Sequence, residues 1–406
     1  MKKIGIFGGS FSPVHNGHIR AALAFYDGVK LDKLYIMPSR TPPHKQLDGD
    51  AAPHFRLDML RLAFDKATVG GRNIAISDFE LGRDAVSYTV DTVEHFESSE
   101  EGCELFLLCG TDMFTSLETW HRAGRIFELA TIVLVRREDE GVLDQALHDQ
   151  ADGYRAAHGA RVIFLPTEAY PASSSEIRTA VTAGEPTPHL PPAVEEYIHN
   201  RGLYGSEVVL PKLRERVREH MSEDRFAHTL RVEAECVKLA KLFGLSSVDT
   251  HRLRVAGLLH DITKERTRDE QMGICEKSGV PLPDRLLPVF PLWHGFTGGV
   301  FSADVFADVV DEEICSAVSN HTYGRPGASL IEKCVQIADI IEDGRDDEHY
   351  IAMREILYSG VSAGKSPDRA LNEALFAKYR WRADFCVNSI PARDYLNSVL
   401  KDEVSS

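Results

Sequence analysis

The sequence is short of basic residues: 46 Lys and Arg stand against 62 Asp and Glu, a formal net charge of −16. That argues against a general nucleic-acid surface, because phosphate contacts need clustered Lys and Arg. The same deficit argues against an anionic membrane surface, although a nucleotide pocket can still be locally basic. No apolar run approaches bilayer-spanning length. Cysteine is sparse. The seven, Cys103, Cys109, Cys236, Cys275, Cys315, Cys334 and Cys386, form no CxxC pair and are odd in number. That points away from a disulfide framework and towards reduced thiols in a cytoplasmic protein. Met1-Lys2-Lys3 looks like the charged start of an export signal, but the apolar stretch behind it breaks at Gly8-Gly9, so it reads as a first strand. Composition leaves a homo-oligomer open.

What is present is length and pattern. A chain of 406 residues is too long for one ordinary core. The first half alternates. Strands are expected at 3–8, 34–38, 74–77, 104–110, 131–135 and 162–165. Helices are expected at 18–29, 53–67, 88–97, 120–129 and near 143–157. Nearly continuous apolar strands in β/α alternation predict a doubly wound parallel α/β sheet. Ligands of such sheets bind beyond the carboxyl ends of the strands. After Gly205 the pattern turns all-helical, with helices expected at 213–221, 225–243, 249–264, from 303 onward, 312–321, 330–341 and 368–378. Two domains are expected, 1–205 and 206–406.

The first strand runs into Gly8-Gly9-Ser10-Phe11-Ser12-Pro13-Val14-His15-Asn16-Gly17-His18. Glycines let backbone N–H groups approach a phosphate closely, and a helix N-terminus favours the anion. His15 and His18 add donors that are neutral or cationic near pH 7. The turn is neither a Walker P-loop nor a GxGxxG fingerprint. Two glycines alone would indicate only a tight strand–helix turn; the HxGH spacing after them indicates nucleotide chemistry.

This segment resembles the HxGH nucleotidyltransferase superfamily, and more narrowly the bacterial nicotinate-nucleotide adenylyltransferases. Further matches follow in order: Pro42-Pro43-His44-Lys45, Ser87-Tyr88-Thr89, Gly110-Thr111-Asp112, Trp120-His121 and Ser173-Ser174-Ser175-Glu176-Ile177-Arg178. The resemblance covers about the first 204 residues. It implies adenylyl transfer from ATP to nicotinate mononucleotide, giving the deamido dinucleotide and pyrophosphate, with Mg²⁺ carried in by ATP. It implies that Gly8, Gly9, Ser10 and Phe11 form the phosphate turn, with His15 and His18 on the ATP phosphates. Lys45 and Arg178 would take phosphate or pyrophosphate. Asp112, beside Gly110, would hold the ribose, and Trp120 would stack on the pyridine ring. Thr89 or its neighbours would fix the mononucleotide, with Ser174, Ser175 and Ile177 completing the site. Taken singly, Trp120 reads as a core aromatic and Ser173–Ser175 as a helix cap. Ser12 stands where the family more often has Asp.

The second half holds His228, His260-Asp261, His294, His321 and Asp339 on or beside expected helices. Imidazole with carboxylate and no thiolate suits Fe, Mn, Mg, Co or Ni better than structural zinc. The His260-Asp261 pair ends the apolar run Ala256-Gly257-Leu258-Leu259, where charge needs compensation that a metal supplies. In the order H…HD…D these residues resemble the HD phosphohydrolase superfamily, and with their neighbours the YqeK-type HD proteins. The neighbours are Arg225-Phe226-Ala227, Ile262-Thr263-Lys264, Leu292-Trp293, Tyr323-Gly324-Arg325 and Glu342-Asp343-Gly344-Arg345. Asp343 stands where that family usually has Pro. The resemblance implies symmetrical cleavage of diadenosine tetraphosphate, a dinucleoside polyphosphate, to two ADP. The two extra histidines imply two divalent metals, iron favoured, with manganese or magnesium as alternatives. Lys264, Arg325 and Arg345 would neutralise the polyphosphate. Two other readings stay open: another nucleotide as substrate (a cyclic dinucleotide or a guanosine polyphosphate), or a nucleotide sensor without turnover.

Overall fold

The computed structural model describes residues 1–40, 51–82, 88–100, 102–137, 141–167 and 170–381. The chain divides into two compact units, Met1–Tyr197 and Ile198–Ser406.

The first unit follows the order β1 (Lys2–Gly9), α1 (Asn16–Val29), β2 (Lys33–Pro38), α2 (Pro53–Ala63), α3 (Lys66–Val69), β3 (Ile74–Ile76), α4 (Thr89–Ser99), β4 (Cys103–Cys109), α5 (Thr111–Ser116), α6 (Ala123–Leu129), β5 (Ala130–Arg137), α7 (Gly141–His158), β6 (Val162–Thr167), α8 (Ser174–Ala183) and α9 (Pro192–Asn200). The six strands pair in parallel in the order β3-β2-β1-β4-β5-β6. The chain winds outward from β1 to β3, then returns to β4 on the other side of β1. The crevice at the carboxyl ends of β1 and β4 is therefore the topological switch point, where such sheets bind ligands. Ile4, Ile6, Leu105, Leu107, Ile132 and Leu134 form the centre of a buried cluster on the sheet.

Two expected helices change shape. The helix expected at 53–67 breaks at Ala63, because the Asp65 side chain accepts from Thr68 N at 2.7 Å and caps a new turn. The helix expected from Trp120 starts at Ala123. Arg122, at φ 53°, lies in the left-handed region and cannot continue a right-handed helix backwards.

The second unit is helical: α10 (Val209–Arg218), α11 (Glu223–Leu242), α12 (Ser247–Leu259), α13 (Arg268–Ser278), α14 (Trp293–Val305), α15 (Glu312–Asn320), α16 (Leu330–Ile341), α17 (Glu348–Ser362) and α18 (Pro367–Trp381). One core joins α11, α12, α15 and α16 through Val232, Cys236, Leu258, Leu259, Val318 and Val335. The helix expected to begin near Ala303 is the tail of α14, which begins ten residues earlier. Gly295, Gly298 and Gly299 lower its intrinsic helix propensity and hide it from periodicity. They serve packing: a Cβ at Gly299 would lie 1.9 Å from Ser319 Oγ and 2.8 Å from the Cys315 carbonyl. The bare backbone of α14 thus rests on α15. Helices α13 and α17 were not evident from apolar spacing.

Candidate active site and candidate metal centre

His15 is the N-cap of α1 and His18 its third residue, so the i, i+3 spacing of HxGH is that of a capping box. His15 Nδ1 accepts from Gly17 N at 3.1 Å, and His18 Nδ1 accepts from His15 N at 3.2 Å. Each neutral ring therefore carries its proton on Nε2, leaving a donor free for an anion. Burial, with repulsion from His189, holds His15 down at about 4. Burial and the neighbouring His15 hold His18 well below its usual value. Both rings are thus neutral donors at pH 7 in the free protein, which narrows the neutral-or-cationic expectation. Gly17 is required as well: a Cβ there would meet Tyr170 Cδ1 at 2.8 Å and His15 Cε1 at 2.9 Å.

The start of α8 docks on this turn. Ser174 Oγ donates to the Pro13 carbonyl at 2.9 Å. Arg178 Nη1 donates to the Ser12 carbonyl at 2.6 Å, and Nη2 to Ser175 Oγ at 3.2 Å. Ser174, Ser175 and Arg178 therefore share one place with Ser12–His18, while Ile177 points into the core. Phe11, also buried, lies under Gly9 and edge-on to His18, with ring centroids 5.1 Å apart. Gly8 is open where a side chain would stand, and Ser10 continues the turn.

Across the switch point, Gly110 precedes α5, and Asp112 is exposed in its first turn. Thr89 opens α4, and the preceding Tyr88 ring lies 4.4 Å from that of His121. That contact brings the Thr89 segment beside Trp120, which is half-buried against the sheet core, its Nε1 donating to Ser116 Oγ at 3.4 Å. Lys45 lies outside the described residues. One residue at this end of the sheet that the sequence did not single out is Arg56, on α2, which donates to the Ser10 carbonyl of the turn.

In the second unit, four imidazoles converge. His228 sits on α11, His260 ends α12, His294 begins α14 and His321 ends α15, with Asp261 beside His260 and Asp339 on α16. Nδ1 of His260, His294 and His321 faces the carbonyl three residues earlier, Gly257, Pro291 and Val318, at 2.7, 2.9 and 2.8 Å. Nδ1 of His228 instead faces Glu342 Oε1 at 3.2 Å. Every Nδ1 is thus a donor, and every Nε2 lone pair is directed inward.

Asp261 divides its oxygens between two groups. Oδ2 lies 3.5 Å from His260 Nε2 and 4.0 Å from His228 Nε2. Oδ1 lies 3.2 Å from His294 Nε2 and 3.5 Å from His321 Nε2. Each set, His228–His260–Asp261 and Asp261–His294–His321, could hold one ion. Asp339 Oδ1 joins the first, 3.1 Å from His228 Nε2. Among the described residues, the buried Nε2 atoms of His228 and His260 make no hydrogen bond of good geometry, although carboxylate oxygens stand 3.1 and 3.5 Å away. Such orphaned atoms cost free energy unless something binds them. The donor set and these two atoms fit a pair of divalent cations.

The electrostatics of the two groups differ. Burial alone would raise Asp261 and Asp339, yet the histidines around them hold both well below the usual carboxylate range. Burial keeps His294 at about 4 and His321 below its usual value, the neutral form a metal requires, whereas at His260 burial is outweighed by Asp261 and Asp339, which raise it, so a metal there would displace a proton.

The flanking cations divide. Lys264 Nζ is 2.9 Å from His294 Nε2, and Arg345 Nη2 is 3.2 Å from Asp339 Oδ1. Arg225 Nη1, on α11, is 2.8 Å from Asp261 Oδ2. Arg325 is drawn to the buried Glu332, with Nε 2.8 Å from Oε1. Arg225 and Glu342 both lie inside motifs read from the sequence, but nothing in their spacing announced that they touch Asp261 and His228.

The parallel sheet with its HxGH capping turn defines the first half as a nucleotidyltransferase fold, and residues 6–180 match the cytidylyltransferase-like family. Residues 225–343 match the HD domain. A probable nicotinate-nucleotide adenylyltransferase of Desulfatibacillum aliphaticivorans is 34% identical over 220 residues, spanning 50% of this chain and 99% of that protein. Through its first half, the chain belongs to the nicotinate-nucleotide adenylyltransferase family. A protein of Mycoplasma genitalium named as a probable nicotinate-nucleotide adenylyltransferase/Ap4A hydrolase is 28% identical over 357 residues, covering 87% of this chain and 91% of its own. A crystal structure of a predicted HD superfamily hydrolase involved in NAD metabolism, from Clostridium acetobutylicum, is 27% identical. It covers 48% of this chain and 97% of its own at a TM-score of 0.41. Among the described residues no helix is long and apolar enough to cross a membrane.

Proposed function

We propose that the chain is bifunctional. Residues 1–205 transfer the adenylyl group of ATP to nicotinate mononucleotide. Residues 206–406 cleave diadenosine tetraphosphate symmetrically to two ADP. The observation that carries the first activity is the histidine capping box at the switch point, in a chain of the adenylyltransferase family. For the second it is Asp261 shared between two histidine pairs, together with a relative whose name pairs the same two activities.

In the transferase, the mononucleotide phosphate attacks the α-phosphorus of ATP in line and pyrophosphate leaves, so no protein nucleophile is needed. The protein positions the reactants and offsets developing charge. Nε2–H of His15 and His18 donates to the ATP phosphates. Arg178 and Lys45 take phosphate charge, and Mg²⁺ arrives with ATP. Asp112 binds the ribose, and Trp120 and Thr89 bind the mononucleotide.

In the HD half, His228, His260, Asp261, His294, His321 and Asp339 hold two divalent ions, with iron favoured by the nitrogen and oxygen donors. When bound, these supply Lewis acidity and charge neutralisation at the attacked phosphate. Lys264 and Arg345 bind the rest of the polyphosphate, and Arg325 joins them by exchanging Glu332 for it.

The test is incubation with a panel of adenine mono- and dinucleotides and Mg²⁺, Mn²⁺ or Fe²⁺, with products separated by chromatography. His18→Ala should lose adenylyl transfer alone, and His260→Ala hydrolysis alone. Nucleotide binding without ADP release from the metal-loaded protein would favour a sensor over a hydrolase.

A further inference from the structure

Arg56 on α2 is 1% exposed. Its Nη1 donates to the carbonyls of Ser10 at 2.9 Å and Ser39 at 2.6 Å. Nη2 donates to the Arg40 carbonyl at 3.1 Å, and Nε to the Ala51 carbonyl at 3.1 Å. Burying a guanidinium is costly, and charge-assisted bonds to four carbonyl oxygens offset that cost. Ser10 belongs to the turn after β1, and Ser39 and Arg40 follow β2. One side chain therefore fastens the carboxyl ends of two neighbouring strands, beside the bond from Ser39 N to the Gly9 carbonyl at 2.9 Å.

The place of these bonds matters more than their number. A trans peptide is planar, so its C=O and N–H point opposite ways. Holding the Ser10 carbonyl towards Arg56 turns the Phe11 N–H the other way. Ser174 acts likewise on the Pro13 carbonyl, and so on the Val14 N–H. Arg178 holds the Ser12 carbonyl, whose peptide partner is Pro13 and has no N–H. Three donors from two other helices thus occupy three carbonyls of one short turn. A turn that cradles an anion works only if its N–H groups face the anion and its carbonyl oxygens do not.

We propose that Arg56 is a positioning residue of the adenylyl-transfer site: by binding the Ser10 carbonyl it keeps that oxygen off the triphosphate and aims the Phe11 N–H at it. Arg56 does not touch substrate. The inference rests on the reading of Gly8–His18 as the ATP phosphate site.

The experiment compares Arg56→Met and Arg56→Lys with Tyr35→Phe in the full chain. Tyr35 lies at the opposite, amino-terminal edge of the sheet, hydrogen-bonded to Glu100 at 2.5 Å. Its variant loses a polar contact away from the turn and controls for lost stability. Steady-state transfer is read with ATP and nicotinate mononucleotide varied separately, at temperatures well below each measured Tm. Arg56→Met should lose on the order of 10- to 100-fold in kcat, the scale of a sub-ångström misplacement of reacting groups. Its KM for nicotinate mononucleotide should stay within about twofold. Arg56→Lys, with charge but no fork, should fall between Met and wild type. Tyr35→Phe should keep kcat. Wild-type kcat in Arg56→Lys overturns the proposal, and so does a kcat loss in Tyr35→Phe equal to that in Arg56→Met. Should Arg56→Met not fold, Arg56→Lys decides alone. A wild-type chain without adenylyl transfer overturns the underlying reading itself, which separates the two failures.

Discussion

Replacing Gly299 with alanine sets two effects against each other. Alanine favours a helix over glycine by about 1 kcal/mol, which would stabilise α14. Against this stands the contact with α15. The new Cβ would lie 1.9 Å from Ser319 Oγ, which can rotate away, and 2.8 Å from the Cys315 carbonyl, which is backbone and cannot. Regaining ordinary contact of 3.4 Å at that oxygen requires the helices to part by about 0.6 Å. Overpacking of this kind typically costs about 1–3 kcal/mol, so the net change is a loss of about 0–2 kcal/mol. For a unit of this size that is a fall in Tm of up to about 8 °C. The larger consequence is chemical. His294 and His321 sit on the two helices being parted, with Nε2 atoms now 3.3 Å apart. Metal–ligand distances tolerate only about 0.2 Å, so the Asp261–His294–His321 position should fail while His228 and His260 keep theirs. Elemental analysis of protein loaded and then desalted should show one metal per chain instead of two, alongside a scanning-calorimetry shift. Two metals retained with an unchanged or higher Tm would refute the reasoning, because the helix contact would then not be limiting.

Asp261→Asn should abolish both metal positions at once, taking metal content from two per chain to near zero. Adenylyl transfer should remain within twofold of wild type. One ion retained would mean that the carboxylate is not shared. His251 gives a pH prediction. Burial, with repulsion from Arg254 and Arg201, holds it at about 4, despite its bond to the Asn200 carbonyl. The unfolded chain, with an ordinary value of 6.5, takes up this proton first. The stability concerned is present in full above pH 6.5 and is lost as pH falls towards 4. Thermal melts of His251→Gln should therefore fall less between pH 7 and pH 5 than those of wild type; equal falls would count against it.

Much of this architecture was legible in the sequence because burial on both faces writes strands as continuous apolar runs, as in Leu105–Cys109. Helices α11, α15 and α16 were equally plain from their apolar spacing. Helix α14 was not, since its glycines are chosen for contact with α15, and tertiary packing overrides propensity there. The histidines and Asp261 could be named from type and order, but their tautomers and the division of Asp261 between two pairs needed coordinates. Arg56 shows the limit most clearly. An arginine on a helix reads as solvated, and its burial comes only from four carbonyls brought to it by β1, β2 and the start of its own helix.

Three of the four converging imidazoles draw their orientation from a carbonyl within their own helical turn, whereas His228 borrows its own from Glu342, at the end of α16. The centre therefore has an order of failure. Fraying at the end of α16 would withdraw Glu342 and Asp339 in one event, leaving His228 free to flip its ring or change tautomer. The other three would keep their aim for as long as their helices hold. Demetallation under mild denaturant would then begin on the His228 side, well before the helical core gives way.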